Sequence, residues 1–343
     1  MTATFVKNLV GTSCPPLAQI GGTDLGVGWR MGNGECAYLL GDTFQGGAPG
    51  SPGWWRSPLL VKSDFVAPDA EVNITRAVGG RSARELIPNK HQEWYVGEVT
   101  QIPNAGFRIG TRQWMSVFSV NNWADETWET NCAALYYSDD YGKTWVDPDR
   151  RWWNNPDHTD VLQMQAWEVH DGYAYCFSTS NGRHRTDGLY LQRVAVNQLL
   201  DPAKYETWID GTWSPGTPTA TLTGRFGEPS VRRIQGTWVL AVFNPDTANI
   251  ETRTAPAPYG PWSDAKTEVT QESVPQNYGG FIMPNSTLEN LNLAVSQWNT
   301  AIGTPYHIMQ YRTAVDPAAP LEEDPFTQDP PQGLWTKLRN TFT

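Results

Sequence analysis

Two aspartates eighteen residues apart are the residues best placed to do chemistry in this chain. Asp24, in Gly22-Thr23-Asp24-Leu25-Gly26, and Asp42, in Leu40-Gly41-Asp42-Thr43-Phe44, lie nine residues either side of Asn33 in a Gly32-Asn33-Gly34 turn. A hairpin closing on that turn opposes them directly, on one face, with Cβ atoms about 4.5–5.5 Å apart. Carboxylates that close do not both ionise readily, so one pKa rises, leaving one protonated acid and one ionised nucleophile or base. Such a pair suits glycoside cleavage, retaining at roughly 5–5.5 Å between carboxyls and inverting at roughly 6.5–9.5 Å. A two-residue Asn33-Gly34 loop would shift the pairing by one and send the aspartates to opposite faces. An Asp beside glycine also serves to cap a turn, and spacing does not say which aspartate is the acid.

Around this pair the sequence offers further groups for a sugar. Glu228, in Gly227-Glu228-Pro229-Ser230-Val231, opens an apolar strand, where a side chain can reach a central funnel or else pair with Arg225, Arg232 or Arg233. Asn104, Gln165, Arg183, His184 and Asn285 stand at strand starts or loops and can bind hydroxyls, though each alone also reads as an ordinary turn or surface residue. Trp29 and Trp167, with Trp54, Trp55, Trp123 and Trp298, divide between core packing and stacking on sugar faces.

Other chemistries find little support. There is no G-x-S-x-G elbow, Walker A loop, complete G-x-G-x-x-G or H-E-x-x-H, and the five histidines are scattered, which argues against a His-centred triad or catalytic metal. Cys14, Cys36, Cys132 and Cys176 form no CxxC pair, so structural zinc is not expected; they can be free thiols or one or two disulfides. With 25 Lys+Arg against 36 Asp+Glu the net charge is −11 and no basic cluster forms, which speaks against nucleic acid as a partner. No apolar run approaches the roughly 20 residues of a membrane span, and the Met1–Asn8 start lacks the pattern of a secretory signal.

The elements that must position these residues are strands. Aromatic bulk (17 Trp, 13 Tyr, 11 Phe) excludes disorder for most of the chain, while 31 Gly and 26 Pro leave little room for long helices. The pattern of strand, tight turn, apolar strand, loop, strand recurs five times, beginning near Gly22, Phe107, Met164, Glu228 and Phe281. Radial repetition of such units protects sheet edges, so the expectation is an all-β, five-bladed β-propeller over residues 1–313, with a β-sandwich as the alternative. Ser138-Asp139-Asp140-Tyr141-Gly142-Lys143-Thr144-Trp145 fits S-x-D-x-G-x-T-W and resembles the Asp-box turn of sialidase-type propellers, a motif that reports fold rather than catalysis. Residues 314–343 carry five prolines and Glu322-Glu323-Asp324, and are expected to form an extended Pro-rich tail or linker with a short terminal segment.

The Gly-Thr-Asp-Leu-Gly and Leu-Leu-Gly-Asp-Thr-Phe segments, their spacing, and the later Gly-Glu-Pro-Ser-Val and Met-Pro-Asn segments resemble the DUF4185 group, from about Leu17 to Thr313. That group includes the actinobacterial and phage endo-D-arabinanases of glycoside hydrolase family 183. The resemblance implies a five-bladed propeller that cleaves internal α-D-arabinofuranosyl linkages of mycobacterial-type arabinogalactan and lipoarabinomannan, with Asp24 as nucleophile and Asp42 as acid/base. It implies no required cofactor, though the central channel leaves room for a structural cation. Host members normally carry a signal or anchor. The lack of one here fits a phage tail-associated depolymerase, its C-terminal tail joined to other tail proteins, or a secreted chain trimmed of its signal. Two alternatives stay open: a non-catalytic carbohydrate-binding propeller for receptor recognition on a phage tail, and another five-bladed glycosidase acting on L-arabinan or sialic acid. The absence of an arginine triad disfavours the sialic acid enzyme.

Overall fold

The computed structural model describes residues 2–124, 128–180, 188–298, 303 and 305–320. Five antiparallel sheets account for nearly all the regular structure, and among the described residues the only helical elements are two 3-10 turns, Val196–Gln198 and Pro202–Lys204. Blade I pairs Leu25–Arg30, Glu35–Leu40, Leu59–Asp64 and Arg76–Ala77 in sequence order. Blade II pairs Thr100–Ile109, Arg112–Asn122, Glu129–Ser138 and Val146–Trp153 likewise. Blade III begins with Met164–His170, Tyr173–Thr179 and Leu189–Ala195 and gains three short outer strands, and blade IV runs from Gly227–Ile234 to Lys266–Val269.

Blade V closes the ring. Its three sequential strands, Asn277–Ile282, Leu291–Gln297 and His307–Thr313, are completed on the outside by Thr4–Gly11 from the chain's other end. The first strands of successive blades pack on one another from I through V and back to I. All five start at one face and run to the other, so residues at their N-terminal ends converge on a single mouth. The expected propeller is therefore the observed fold, and the sandwich is excluded. The sequence reading did not assign Thr4–Gly11 a place in it.

Apolar side chains fill the seams between blades, where Trp167, Trp238 and Tyr38 are among the largest fully buried groups. The expected Asp-box forms as a turn on blade II. Asp140 Oδ1 accepts from the Thr144 amide at 2.9 Å and from Ser138 Oγ at 2.8 Å, and the Trp145 indole donates to the Gly142 carbonyl at 3.2 Å. All four cysteines are free thiols. No helix among the described residues is long and apolar enough to cross a membrane. Residues 314–320 carry no regular structure and lie against the body, with Val315 N donating to Leu288 O at 2.8 Å and Ala318 N to Thr237 Oγ1 at 3.2 Å; the rest of the tail is outside the described residues.

Arg232, on the first strand of blade IV, ties the ring at its centre. Its guanidinium donates to the main-chain carbonyls of Gly28 in blade I, Gly106 in blade II and Trp167 in blade III, and pairs with Glu168 Oε2 at 3.2 Å. This side chain supplies a positive charge in the channel, where the sequence reading left room for a cation. Among the described residues no group of three or more His, Cys, Asp or Glu converges as a metal site.

Candidate functional site

The hairpin of blade I keeps the expected register from Val27↔Leu39 to Arg30↔Cys36, centred on Asn33, which rules out the two-residue loop. The register then slips. Leu25 and Gly26 adopt positive φ (71° and 82°), a bulge that pairs Leu25 with Leu40 and brings the Gly41 amide to 3.4 Å from the Asp24 carbonyl. Pairing recovers only at the Gly22↔Phe44 bridge. Asp24 and Asp42 are therefore not directly opposed on a continuous ladder, as expected from counting; they occupy the irregular stretch where the ladder opens.

Neighbouring side chains hold that stretch. Thr23 and Thr43, one residue from each aspartate, share a 2.7 Å hydroxyl contact, and Thr43 donates to Gly41 O at 2.9 Å. Asp24 is buried, and its Oδ2 accepts from the Tyr278 hydroxyl of blade V at 2.6 Å. A Cβ on Gly41 would stand 2.3 Å from Asp24 Oδ1, so only glycine lets the carboxylate lie there.

Asp42 is half-buried, and its Oδ1 accepts from Trp55 Nε1 and from Thr100 Oγ1, each at 2.8 Å. Burial pushes its pKa up to about 6, even though these two hydrogen bonds and the nearby His91 favour the charged form; Glu85 adds to the rise. Tyr306 joins the two aspartates. Its hydroxyl donates to the Asp42 carbonyl at 2.9 Å, and its own pKa is driven well above the usual phenol range by burial first and then by Asp24, Tyr278 and Asp42. Sequence reasoning missed Tyr306, Tyr278, Trp55's hydrogen bond and Thr100, which come from three blades and share no local motif.

Glu228 stands at the start of blade IV's first strand, 8% exposed, in a bulge between Gly227 and Ser230 and with φ of 43°. Strain of this kind costs of order 1–3 kcal/mol and concentrates at working sites. Of the arginines considered as its partners, Arg225 pairs with Asp246 and Arg232 with Glu168. Asn104 also bulges, between Pro103 and Ala105, and donates to Gln163 O at 3.4 Å.

Several expected sugar contacts are corrected. Gln165 is buried in the seam between blades II and III, where its Oε1 accepts from Ser116 Oγ and Trp167 Nε1 and its amide donates to Leu162 O. Trp167 is 1% exposed and stacks on Phe107, while Trp29 is 3% exposed, donates to Gln113 Oε1 and fills the space left by Gly106. Trp167 offers no face to a ligand, and the little of Trp29 that is exposed borders a cavity at the mouth opposite the aspartates. Asn285 follows the C-terminal end of blade V's first strand, at the mouth opposite Asp24, and donates to Ala67 O at 3.3 Å. Arg183 and His184 lie outside the described residues. A cavity of about 320 Å³ at the opposite mouth is lined by Arg30, Arg108, Glu168, Arg232 and Arg233, well away from the aspartates.

Comparison with known proteins bears on this geometry. Residues 17–312 match the family described as Domain of unknown function (DUF4185). Notoamide biosynthesis cluster protein J' of Aspergillus versicolor is 34% identical over 303 residues, 82% of each chain. An uncharacterized 35.9 kDa protein of Mycolicibacterium smegmatis is 34% identical over 318 residues, 83% of this chain and 89% of that one. Among solved structures, an α-L-arabinofuranosidase of Podospora anserina in complex with cellotriose superposes with a TM-score of 0.53 at 13% identity, over 93% of this chain and 98% of that one. At that identity the likeness establishes the fold alone.

Proposed function

Since the chain belongs to the DUF4185 family, we propose that it is a glycoside hydrolase, and that it cleaves internal α-D-arabinofuranosyl linkages of mycobacterial-type arabinogalactan and lipoarabinomannan. The observation that carries the reading is the placement of Asp42, whose carboxyl is raised by burial to about 6, a poise suited to proton donation, in the same opened hairpin stretch as Asp24, whose Oδ2 accepts from Tyr278. The propeller shared with an α-L-arabinofuranosidase supports the glycosidase reading, and the kinship with a mycobacterial protein fits a mycobacterial polysaccharide as substrate.

In the proposed reaction Asp42 gives its proton to the departing glycosidic oxygen while Asp24 attacks the anomeric carbon to form a glycosyl ester. Asp42, now ionised, takes a proton from water as that water displaces Asp24, and the anomeric configuration is retained. Glu228, fixed at the same mouth in a strained conformation, would contact the sugar hydroxyls. A phage tail is the proposed setting, with the Pro-rich segment as its connection to other tail proteins.

Incubation of the protein with purified arabinogalactan tests the reading, with release of a ladder of arabinose oligosaccharides expected. Binding without any release would favour a carbohydrate-recognition propeller instead. Proton NMR of the first-formed reducing ends reads the stereochemistry.

A further inference from the structure

The segment between blades I and II displays apolar surface that the fold does not need. Trp94, Tyr95 and Val96 are 49%, 64% and 65% exposed, and among the described residues neither ring packs on another aromatic. Three consecutive exposed apolar residues are costly to keep unless they meet a partner.

The segment is nevertheless fixed. Gln92 N donates to Glu98 O and Glu98 N to Gln92 Oε1, both at 2.9 Å, while Tyr95 N donates to Asn121 O at 3.1 Å. Tyr95 has φ of 64°, a left-handed conformation that a tyrosine adopts only when its surroundings impose it. Rigid presentation lowers the entropy lost when a ligand docks on the rings.

Its anchors lead to the site. Asn89 Nδ2 donates to Thr100 Oγ1 at 3.2 Å, and Thr100 donates to Asp42. The His91 ring lies 4.3 Å from the Trp55 ring, and Trp55 donates to Asp42. Asn121, which holds Tyr95, closes the second strand of blade II at the mouth where Thr100 opens the first. The exposed rings thus border the mouth that holds the aspartates, on the blade II side.

We infer that Trp94 and Tyr95 form a stacking platform for a neutral saccharide unit lying beyond the bond over Asp24 and Asp42. Aromatic faces take the apolar C–H faces of sugars. Along the segment the carboxylates Glu85, Glu93 and Glu98 outnumber the one lysine, Lys90, even with Glu85 paired to His91, which disfavours an anionic chain. The inference rests on the glycosidase reading for its direction, since a chain cut internally needs grip on units beyond the scissile bond.

Kinetics of Trp94→Ala/Tyr95→Ala on arabinogalactan and on p-nitrophenyl α-D-arabinofuranoside test it, together with native electrophoresis through gels containing arabinogalactan. The expected result is a fall in kcat/KM on the polymer of about tenfold or more, mostly through KM, with less than a twofold change on the small substrate and loss of retardation in the gel. Trp94→Phe should keep most polymer activity. An unchanged polymer kcat/KM, or an equal loss on both substrates, would overturn the platform. If the wild type cleaves neither substrate, the hydrolase reading fails and the gel alone decides: retardation lost in the double variant supports the platform, and retardation that is absent in wild type or unchanged in the variant refutes it.

Discussion

Trp55 donates its indole hydrogen to the Asp42 carboxylate at 2.8 Å, on the same oxygen that takes the Thr100 hydroxyl. A tryptophan from a short strand outside the main sheet thereby tempers the charge state of a carboxyl in the opened hairpin. Two donors favour the ionised form, burial opposes it, and burial prevails, leaving the group near 6.

The activity profile should follow. With Asp42 as proton donor, kcat/KM declines as pH rises through about 6. Trp55→Phe removes a donor that favours the charged form, so its alkaline limb should move to higher pH. A limb unmoved in the variant would show that another group controls it.

Stability carries the same sign. Asp42's folded pKa of about 6 exceeds the roughly 3.9 of an unfolded aspartate, so its contribution is full below about pH 4 and is lost as pH rises to 6. Asp42→Asn keeps an oxygen for Trp55 and Thr100 without the buried charge. Urea titrations should find the variant more stable than wild type at pH 7, by about 1–2 kcal/mol after allowance for partial exposure, and not at pH 4.

Turnover should fall at least about a thousandfold in Asp24→Asn and in Asp42→Asn, with circular dichroism unchanged. Near wild-type activity in either would remove that residue from the reaction.

Gly41→Ala separates positioning from folding. Its new methyl would meet Asp24 Oδ1 at 2.3 Å and Leu25 Cδ1 at 2.9 Å, both side-chain atoms that can shift. Stability should drop by about 1–3 kcal/mol, while kcat drops about a hundredfold as the carboxylate swings away. Parallel melting curves and rates would reveal a purely structural role if the two losses matched.

Arg232→Met cuts the tie among blades I, II and III and leaves Glu168 without its cation. A destabilisation of about 2–4 kcal/mol is expected, discounted for the partial exposure of the pair, and Glu168→Gln added to it should recover part of the loss. Denaturant midpoints of the wild type and the two variants provide the measurement.

Much of this was legible in local sequence. Apolar strand segments and their turns gave the five units, S-x-D-x-G-x-T-W gave the turn at Asp140, and Gly32-Asn33-Gly34 gave the hairpin centre. The bulge at Leu25 and Gly26 interrupted the extrapolation from that centre to Asp24, because two residues in the left-handed region break the ladder until pairing resumes at Gly22↔Phe44. Exposure was harder to read: Trp29 and Trp167 proved to be core, while Trp94 and Tyr95 went unnoticed because a tryptophan's burial depends on which blade faces it.

Apolar strand segments and the turn chemistry between them act over a few residues, so the sequence by itself determined an all-β chain of repeated units and picked out Asp24 and Asp42. Closure of the ring was decided only in three dimensions, since Thr4–Gly11 pairs with a strand some 300 residues away, as were the convergence of Tyr278, Tyr306, Trp55 and Thr100 on the two aspartates and the seat of Arg232. Apart from Trp55, which folds back onto Asp42 within blade I, those contacts join groups from different blades, and nothing in local propensity encodes which blade's side chain meets another's until the sheets pack.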